Sequence, residues 1–568
     1  MRAFKHVGRL LQIIFAALLF TAIFSSRLLA DDKVASNPLA KAAPAKTESP
    51  APLTERERWM LDRMEQLEKR VAELEAKSNP AEAKATETAA AQPTSAQPSF
   101  ANAPSAAPVA ATVASPAVAA AATKSQEQAS AAPPQKAEPF AFADFTWLNG
   151  NARTKESPID TKFFTPEIRA DIDYIYDFNH PKDNTISGSS EVFRANEVQV
   201  TQLGVGGDFH YDNVRARLMT QFGLYSQTTP RNDASPARGQ WNLADAYRYI
   251  SEAYGGYHFN ALHGINVDAG IFMSYIGLFS YYQFDNWAYQ PSYVSSNTPW
   301  FFNGVRIQIF PTEHLKIEPW FTNGWQSYGR FNSRPGLGFQ ILWRPNGWLS
   351  VLGNQYALGE DALNTPGRVR YHTDDSIEVK YYDNKEKFLD KAAFSLTGDM
   401  GCEHGGGVSC AGGSAKGPKQ SFLGYMFYNR LWFDNDKYGL TLGGGQINNP
   451  GRYLVLLPPI NGATAASGTP YFTENPGDPY KAWDVSGTFD WMPSQYITFR
   501  WEYNHRAANV PYFSGSGGVT PPGGNTFGAP GSTVCFSGAP PCGSLANTWF
   551  PDLRKTENRL NMAILVKF

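Results

Sequence analysis

The run PEIRADIDYIYDF, residues 166–178, decides the fold class. Its even positions carry Ile168, Ala170, Ile172, Tyr174, Tyr176 and Phe178, and its odd positions Arg169, Asp171, Asp173, Ile175 and Asp177. Side chains of a strand alternate between two faces, so this segment is an extended strand with one apolar face and one charged face. The last ten residues repeat the pattern, with Leu560, Met562, Ile564, Val566 and Phe568 against Asn561, Ala563, Leu565 and Lys567. In 496–504, Ile497, Phe499, Trp501 and Tyr503 oppose Thr498, Arg500, Glu502 and Asn504.

Working outward, sixteen such runs lie between 166 and 568, among them 213–226, 375–383 and 387–397. The connections between them alternate. Seven are tight, at Asp212, Ala261–Gly264, Thr312–Glu313, Pro345–Gly347, Asn384–Glu386, Asp436 and Pro493–Ser494, and eight are long, from about a dozen to fifty residues. A soluble sandwich has no reason to sort its loops by end, whereas a barrel threaded through an outer membrane does. Rings bracket the tight turns: Phe209 and Tyr211, Tyr257 and Phe259, Phe310, Trp343 and Trp348, Tyr381, Tyr382 and Phe388, Trp432, Phe433 and Tyr438, Trp491 and Tyr496. Amphipathic rings settle at headgroup level and form a girdle. The expected fold is all-β, a 16-stranded antiparallel transmembrane β-barrel spanning 140–568.

A barrel of that size is too wide for side chains to fill. Its apolar stripe then faces lipid, and its polar stripe surrounds a hydrated middle. Arg215, Arg217, Arg306, Gln308, Arg344, Glu378, Lys380, Asp484, Arg500 and Glu502 are the expected lining of that lumen.

Only six of the 78 aromatic residues precede residue 140, so a different kind of polymer leads into the barrel. Arg2, Lys5 and Arg9 precede an apolar run from Leu10 to Phe24, which reads as a signal peptide over 1–30. A disordered stretch, 31–52, follows. Residues 53–77 carry Met60, Met64, Leu67, Val71 and Leu74 at spacings of four and three, the seam of a short coiled-coil helix. A helix this short needs partners, and three strands, a homotrimer, is the expected count. Residues 78–139 are rich in Ala and Pro and form a spacer, on the order of 190 Å long if fully extended at ~3.1 Å per residue.

Composition removes other classes. The chain has 568 residues, a net charge of −2 and 18% charged residues, which argues against nucleic-acid binding. No apolar run reaches the ~20 residues a membrane-crossing helix needs. No Gly-x-Ser-x-Gly elbow, Ser-x-x-Lys or phosphate-binding loop is present, and no helical His-x-x-x-His, so neither enzyme activity, metal nor cofactor is expected. A barrel-embedded hydrolase would need Ser, His and Asp to meet from distant strands. The four cysteines sit in two long Gly-rich loops, and disulfides Cys402–Cys410 and Cys535–Cys542 are expected in an oxidising compartment. A metal site at Cys402, His404 and Cys410 is the sharper alternative.

The third long loop, 276–300, contains Phe279, Tyr281, Tyr282, Phe284, Trp287, Tyr289, Tyr293 and Trp300. So much ring surface is unfavourable in water. The expected burial is inside the lumen, with Tyr281, Tyr282, Asp285, Trp287 and Tyr289 forming a constriction and Asp285 facing the arginine row across it. Packing over a neighbouring subunit is the alternative.

The blocks FTWLNGNARTKESPIDTKFFTPEIRADIDYIYDF (145–178), GVGGDFHYDNVRARLMTQFGLY (204–225), ISEAYGGYHF (250–259) and INVDAGIFMSYIG (265–277) resemble those of the OmpL-like beta-barrel porin family. The resemblance covers most of 140–568 and implies a passive outer-membrane channel, with no catalytic residues to carry over. The expected function is therefore diffusion of small hydrophilic solutes through a barrel contacting outer-membrane lipid. Its N-terminal segment would lie in the periplasm, with 53–139 within reach of peptidoglycan. The competing reading is a structural envelope tether whose barrel is plugged or idle.

Overall fold

The structure, a computed structural model, describes Lys69 and residues 138–568 except 156, 182–183, 187–190, 231–232, 234–239, 331–333, 361–366, 414, 451–479, 511, 517–532, 536–545 and 549–552. The signal peptide, the 31–52 stretch, the coiled coil apart from Lys69, nearly all of the spacer, and Cys542 therefore lie outside the described residues.

Sixteen strands close into an antiparallel barrel in which each strand pairs with its neighbours in sequence and the last pairs with the first. They are β1 (Phe164–Asp177), β2 (Val198–Tyr211), β3 (Val214–Thr220), β4 (Ile250–Phe259), β5 (Ile265–Met273), β6 (Phe301–Thr312), β7 (Leu315–Thr322) and β8 (Gly336–Asn346). The second half comprises β9 (Leu349–Glu360), β10 (Val369–Asp383), β11 (Leu389–His404), β12 (Ser421–Phe433), β13 (Tyr438–Asn449), β14 (Tyr480–Ser494), β15 (Ile497–Ala508) and β16 (Thr556–Lys567). Closure runs from Arg169 opposite Lys567 to Asp177 opposite Arg559. A closed barrel satisfies every strand edge, as a protein surrounded by hydrocarbon must.

Seven connections at one end are two to five residues long. Asp212 and the trio Asp434, Asn435 and Asp436 adopt positive φ there, a conformation that short Asx side chains tolerate. The opposite end carries the eight longer connections, of which 361–368 is shorter than the expected dozen residues.

Three strand boundaries differ from the sequence reading by six or more residues. β3 stops at Thr220, and Tyr225–Thr228 turn into a short helix instead of continuing the strand to 226. β10 begins at Val369 and β11 continues to His404, several residues beyond the expected limits. The start of β10 carries polar residues on both faces, as in Arg370-Tyr371-His372-Thr373-Asp374, and the end of β11 places Gly398 and Cys402 outward, so the apolar stripe that marks a lipid-facing strand is weakened while the ladder continues.

Outward positions are apolar and exposed, as at Leu396, Leu423, Phe427, Leu442, Phe489 and Ile564. Rings stand outward at the tight-turn end, at Phe209, Tyr211, Tyr257, Phe259, Trp348, Tyr381, Phe388 and Trp491. Trp432 is a correction to the expected girdle: it points inward, fully buried, with Lys391 and Arg430 over its ring.

Candidate functional site

The barrel interior is the candidate site, and its inward face is polar on nearly every strand. It is not a hollow, hydrated cylinder. Among the described residues two segments of the chain cross it, and many inward charges bind them, including Arg169, Asp171, Asp173, Arg430, Asp484, Arg500 and Glu502.

The first insert is the β5–β6 connection, residues 274–300, which crosses the lumen and touches walls far apart in sequence. Tyr275 Oη donates to the Gln355 carbonyl on β9 at 2.8 Å. Tyr281 bonds Gln221, and Tyr282 Oη donates to Glu252 on β4 at 2.7 Å. Arg169 on β1 pairs with Asp285 at 2.8 Å, and Lys567 on β16 reaches the same carboxylate at 3.3 Å. Trp287 packs edge-on against Trp432 with centroids 5.6 Å apart. Tyr289 Oη donates to Asp171 and Asp173 of β1 at 2.9 and 2.8 Å.

The far wall clamps the backbone of this loop. Arg500 donates to the carbonyls of Gln283 and Asn286 at 3.1 and 2.7 Å while paired with Asp490. Glu502 accepts the amides of Tyr289 and Gln290 at 2.6 and 2.8 Å. Asp484 accepts from the Ser292 hydroxyl and the Tyr293 amide at 2.8 and 3.0 Å. Gly445, inside the GGG run of β13, leaves the space that Ser292 occupies. The expected lining residues Asp484, Arg500 and Glu502 thus anchor a loop. A second correction concerns Asp285, which does not face an arginine row across open space but sits in contact with Arg169 and Lys567. Burial alone would raise its carboxyl, yet the charges of Arg169 and Lys567 outweigh it and hold the group below the usual carboxylate range.

The second insert was not legible as one. Residues 138–155 precede β1 and enter the barrel at the tight-turn end. The Phe140 amide donates to the Glu313 carbonyl in the β6–β7 turn at 2.8 Å. Phe140 and Phe145 hold the Arg344 guanidinium over their rings, at 5.2 and 4.7 Å. Trp147, 1% exposed, donates to the Gly347 carbonyl in the β8–β9 turn at 3.1 Å and lies under Lys380. Asn151 Nδ2 donates to the Ser494 carbonyl and the Thr498 hydroxyl, each at 3.1 Å. Arg153 Nη1 donates to the carbonyls of Met492 and Pro493 at 2.7 and 3.0 Å. The two inserts meet where the Gly150 amide donates to the Asp285 carbonyl at 2.8 Å. The only hint of this segment in the sequence is the cluster of Phe140, Phe142, Phe145 and Trp147 immediately after an aromatic-poor spacer.

Of the remaining expected lining residues, Glu378 is buried, and Lys380 is held by Asp383 at 2.6 Å. Solvent reaches the interior mainly at the tight-turn half of β2–β7. There Arg215 shares Asp268 with Arg306, at 3.3 and 3.0 Å, and Arg217 joins Glu167, Asp208 and Glu252 at 3.1, 2.8 and 3.0 Å. Gln308 donates to Glu318 at 2.8 Å. Arg215 and Asp208 keep 30% and 50% of their side-chain surface exposed. Toward the long-loop end, a ring cluster of Phe272, Tyr275, Phe302, Trp320, Trp325 and Tyr356 closes over this vestibule.

Cys402, at the end of β11 and not within a loop as expected, is joined to Cys410 by a disulfide. That bond consumes both thiolates that a metal site with His404 would require.

The model of one protein family, described as "Putative beta-barrel porin-2, OmpL-like", matches residues 169–536. The chain belongs to this OmpL-like porin family. Among solved structures, the OmpL-like chain is similar to outer-membrane expressed OmpT of Vibrio cholerae, at 9% identity and a TM-score of 0.39 over 73% of this chain and 100% of the other. It is also similar to the outer membrane channel DcaP of Acinetobacter baumannii, at 12% identity and TM-score 0.37 over 73% and 99%. A third is an anion-selective porin from Comamonas acidovorans, at 10% identity and TM-score 0.36 over 71% and 99%. No curated protein is detectably similar in sequence. Membership of the OmpL-like family, together with the closed barrel, supports an outer-membrane location.

Proposed function

We propose that this barrel is an outer-membrane channel for passive diffusion of small hydrophilic solutes, and one with a narrow, partly occupied lumen. The observation that carries the reading is the segregation of its two faces: hydrocarbon-compatible side chains outward, and an inner wall of Arg, Asp and Glu at positions where a structural core would place Leu and Val. Paired charges of both signs at Arg215, Asp208, Arg217, Glu252 and Arg306 favour polar over apolar solutes in the vestibule they line. Gln308, Arg344, Glu378 and Lys380 continue that polar wall. Tyr281, Tyr282, Asp285, Trp287 and Tyr289 form the constriction.

A second reading, a plugged barrel serving as an envelope tether, is favoured by the burial of Arg430, Asp490 and Arg500. Planar-bilayer recordings of the purified protein separate the two. Discrete open-channel steps in potassium chloride support the channel, and their absence at every salt concentration supports the tether. The heptad seam at 53–77 supports a homotrimer whose N-terminal stretch is periplasmic and within reach of peptidoglycan. Deleting those residues should lower the mass measured by light scattering.

A further inference from the structure

We propose that residues 140–154 are a withdrawable stopper for the tight-turn mouth of the barrel, a regulation that rests on the channel reading above. The two inserts are held by different chemistry. The β5–β6 loop is tethered to the wall at both of its ends and is clamped by the buried charges Arg169, Asp484, Arg500 and Glu502. The pre-β1 segment is joined to the barrel covalently only downstream, through 155–163. Its bonds go chiefly to backbone carbonyls of the rim, at Glu313, Gly347, Met492, Pro493 and Ser494. These bonds, including the two from the half-buried Arg153, end on neutral carbonyls of the rim and can be exchanged for bonds to water, and the buried Arg430 that donates to the Gly150 carbonyl keeps its partner Asp490 when the segment leaves, whereas separating a buried ion pair leaves bare charges in a low dielectric. The segment is therefore the insert that can leave without dismantling the wall.

Its seat is nevertheless specific. Trp147 is buried in one apolar cluster that also contains Ala393, Trp432 and Met492. At Gly150 a side chain would collide with the backbone oxygens of Phe284 and Asn286 on the other insert, so only glycine lets the two segments meet. Withdrawal would uncover Arg344 and Lys380, both now covered by rings of the segment. The vestibule at β2–β7 would then widen across the mouth toward β8–β14.

A reversible lock tests this. A β-carbon at Gly347 would lie 2.9 Å from that of Ala143. This is slightly closer than a disulfide's usual ~3.5–4.5 Å, so a small shift permits the bond in the double variant A143C/G347C. The full-length double variant is recorded in a planar bilayer in potassium chloride, oxidised and then after reductant, with the unsubstituted protein given the same reductant to correct for Cys402–Cys410. Conductance should be low when locked and rise several-fold on reduction in the same molecules. Independently, Gly150→Val, checked for its β-sheet circular dichroism, should conduct several-fold more than the unsubstituted protein. If the unsubstituted protein conducts while lock, release and Gly150→Val all leave conductance unchanged, the stopper is overturned and the channel reading stands. If neither Gly150→Val nor the reduced variant conducts at all, the channel reading fails and the stopper with it.

Discussion

The guanidinium of Arg430, on the inner wall of β12, lies 2.7 Å from the carbonyl oxygen of Gly150. The same guanidinium reaches the Trp287 carbonyl at 3.2 Å, Thr441 at 2.8 Å and Asp490 at 2.7 Å. One buried side chain therefore holds the wall and both inserts together, with its charge balanced by Asp490, which Arg500 shares.

Replacing Arg430 with Met removes that junction and leaves two buried carbonyls without this donor. Asp490 keeps Arg500, so the loss should be nearer the lower end of that for a broken buried pair, about 3 kcal/mol. It would appear as a lowered urea midpoint in detergent. Arg430→Lys, which keeps the charge but not the planar fork, should recover only part of it.

Asp285 gives a pH dependence of known sign. Its carboxyl is held below the usual range by Arg169 and Lys567, against the opposing effect of burial. A group with a depressed folded-state pKa contributes stability that is fully present above its unfolded value of ~4 and is lost as pH falls through the folded one. The difference in thermal midpoint between the unsubstituted protein and Asp285→Asn should accordingly be constant from neutral pH down to the unfolded value, then shrink in stronger acid. A difference that grows on acidification would contradict the pairing.

All sixteen strands could be read from alternation, because one face of every strand meets hydrocarbon, but the outward sense of the apolar stripe needed the sorting of long and short loops, the girdle of rings and the export signal as well. Where strands leave the hydrocarbon that rule lapses, which is why the early part of β10 and the late part of β11 were missed. The contents of the lumen were only half legible. The rings of 276–300 signalled burial, but partners such as Asp484 and Glu502 are about two hundred residues away, and no local pattern records such pairings. The 138–155 insert has neither strand nor helix period, so periodicity passes over it. The open lumen was expected from barrel width, an argument that omits the chain's own connections as filling.

The Cys402–Cys410 link closes a short loop, with its α-carbons 5.1 Å apart. Removing it as Cys402→Ser with Cys410→Ser should free the chain between these positions to open locally while the barrel stays folded. Because Cys410 lies outside the barrel strands, the effect should be local. Limited proteolysis within 405–420 should accelerate, with little change in the thermal transition of the barrel. A large drop in that transition would mean that the link supports the wall itself.

The most direct test asks which face of the wall meets lipid. Single cysteines replacing Leu396, outward in the middle of β11, and Asp208, inward on β2, would each carry a bimane fluorophore in vesicles containing lipids brominated along the acyl chain. Quenching should be strong from position 396 and weak from position 208. Equal quenching at both positions, or stronger quenching at 208, would contradict an outward apolar face.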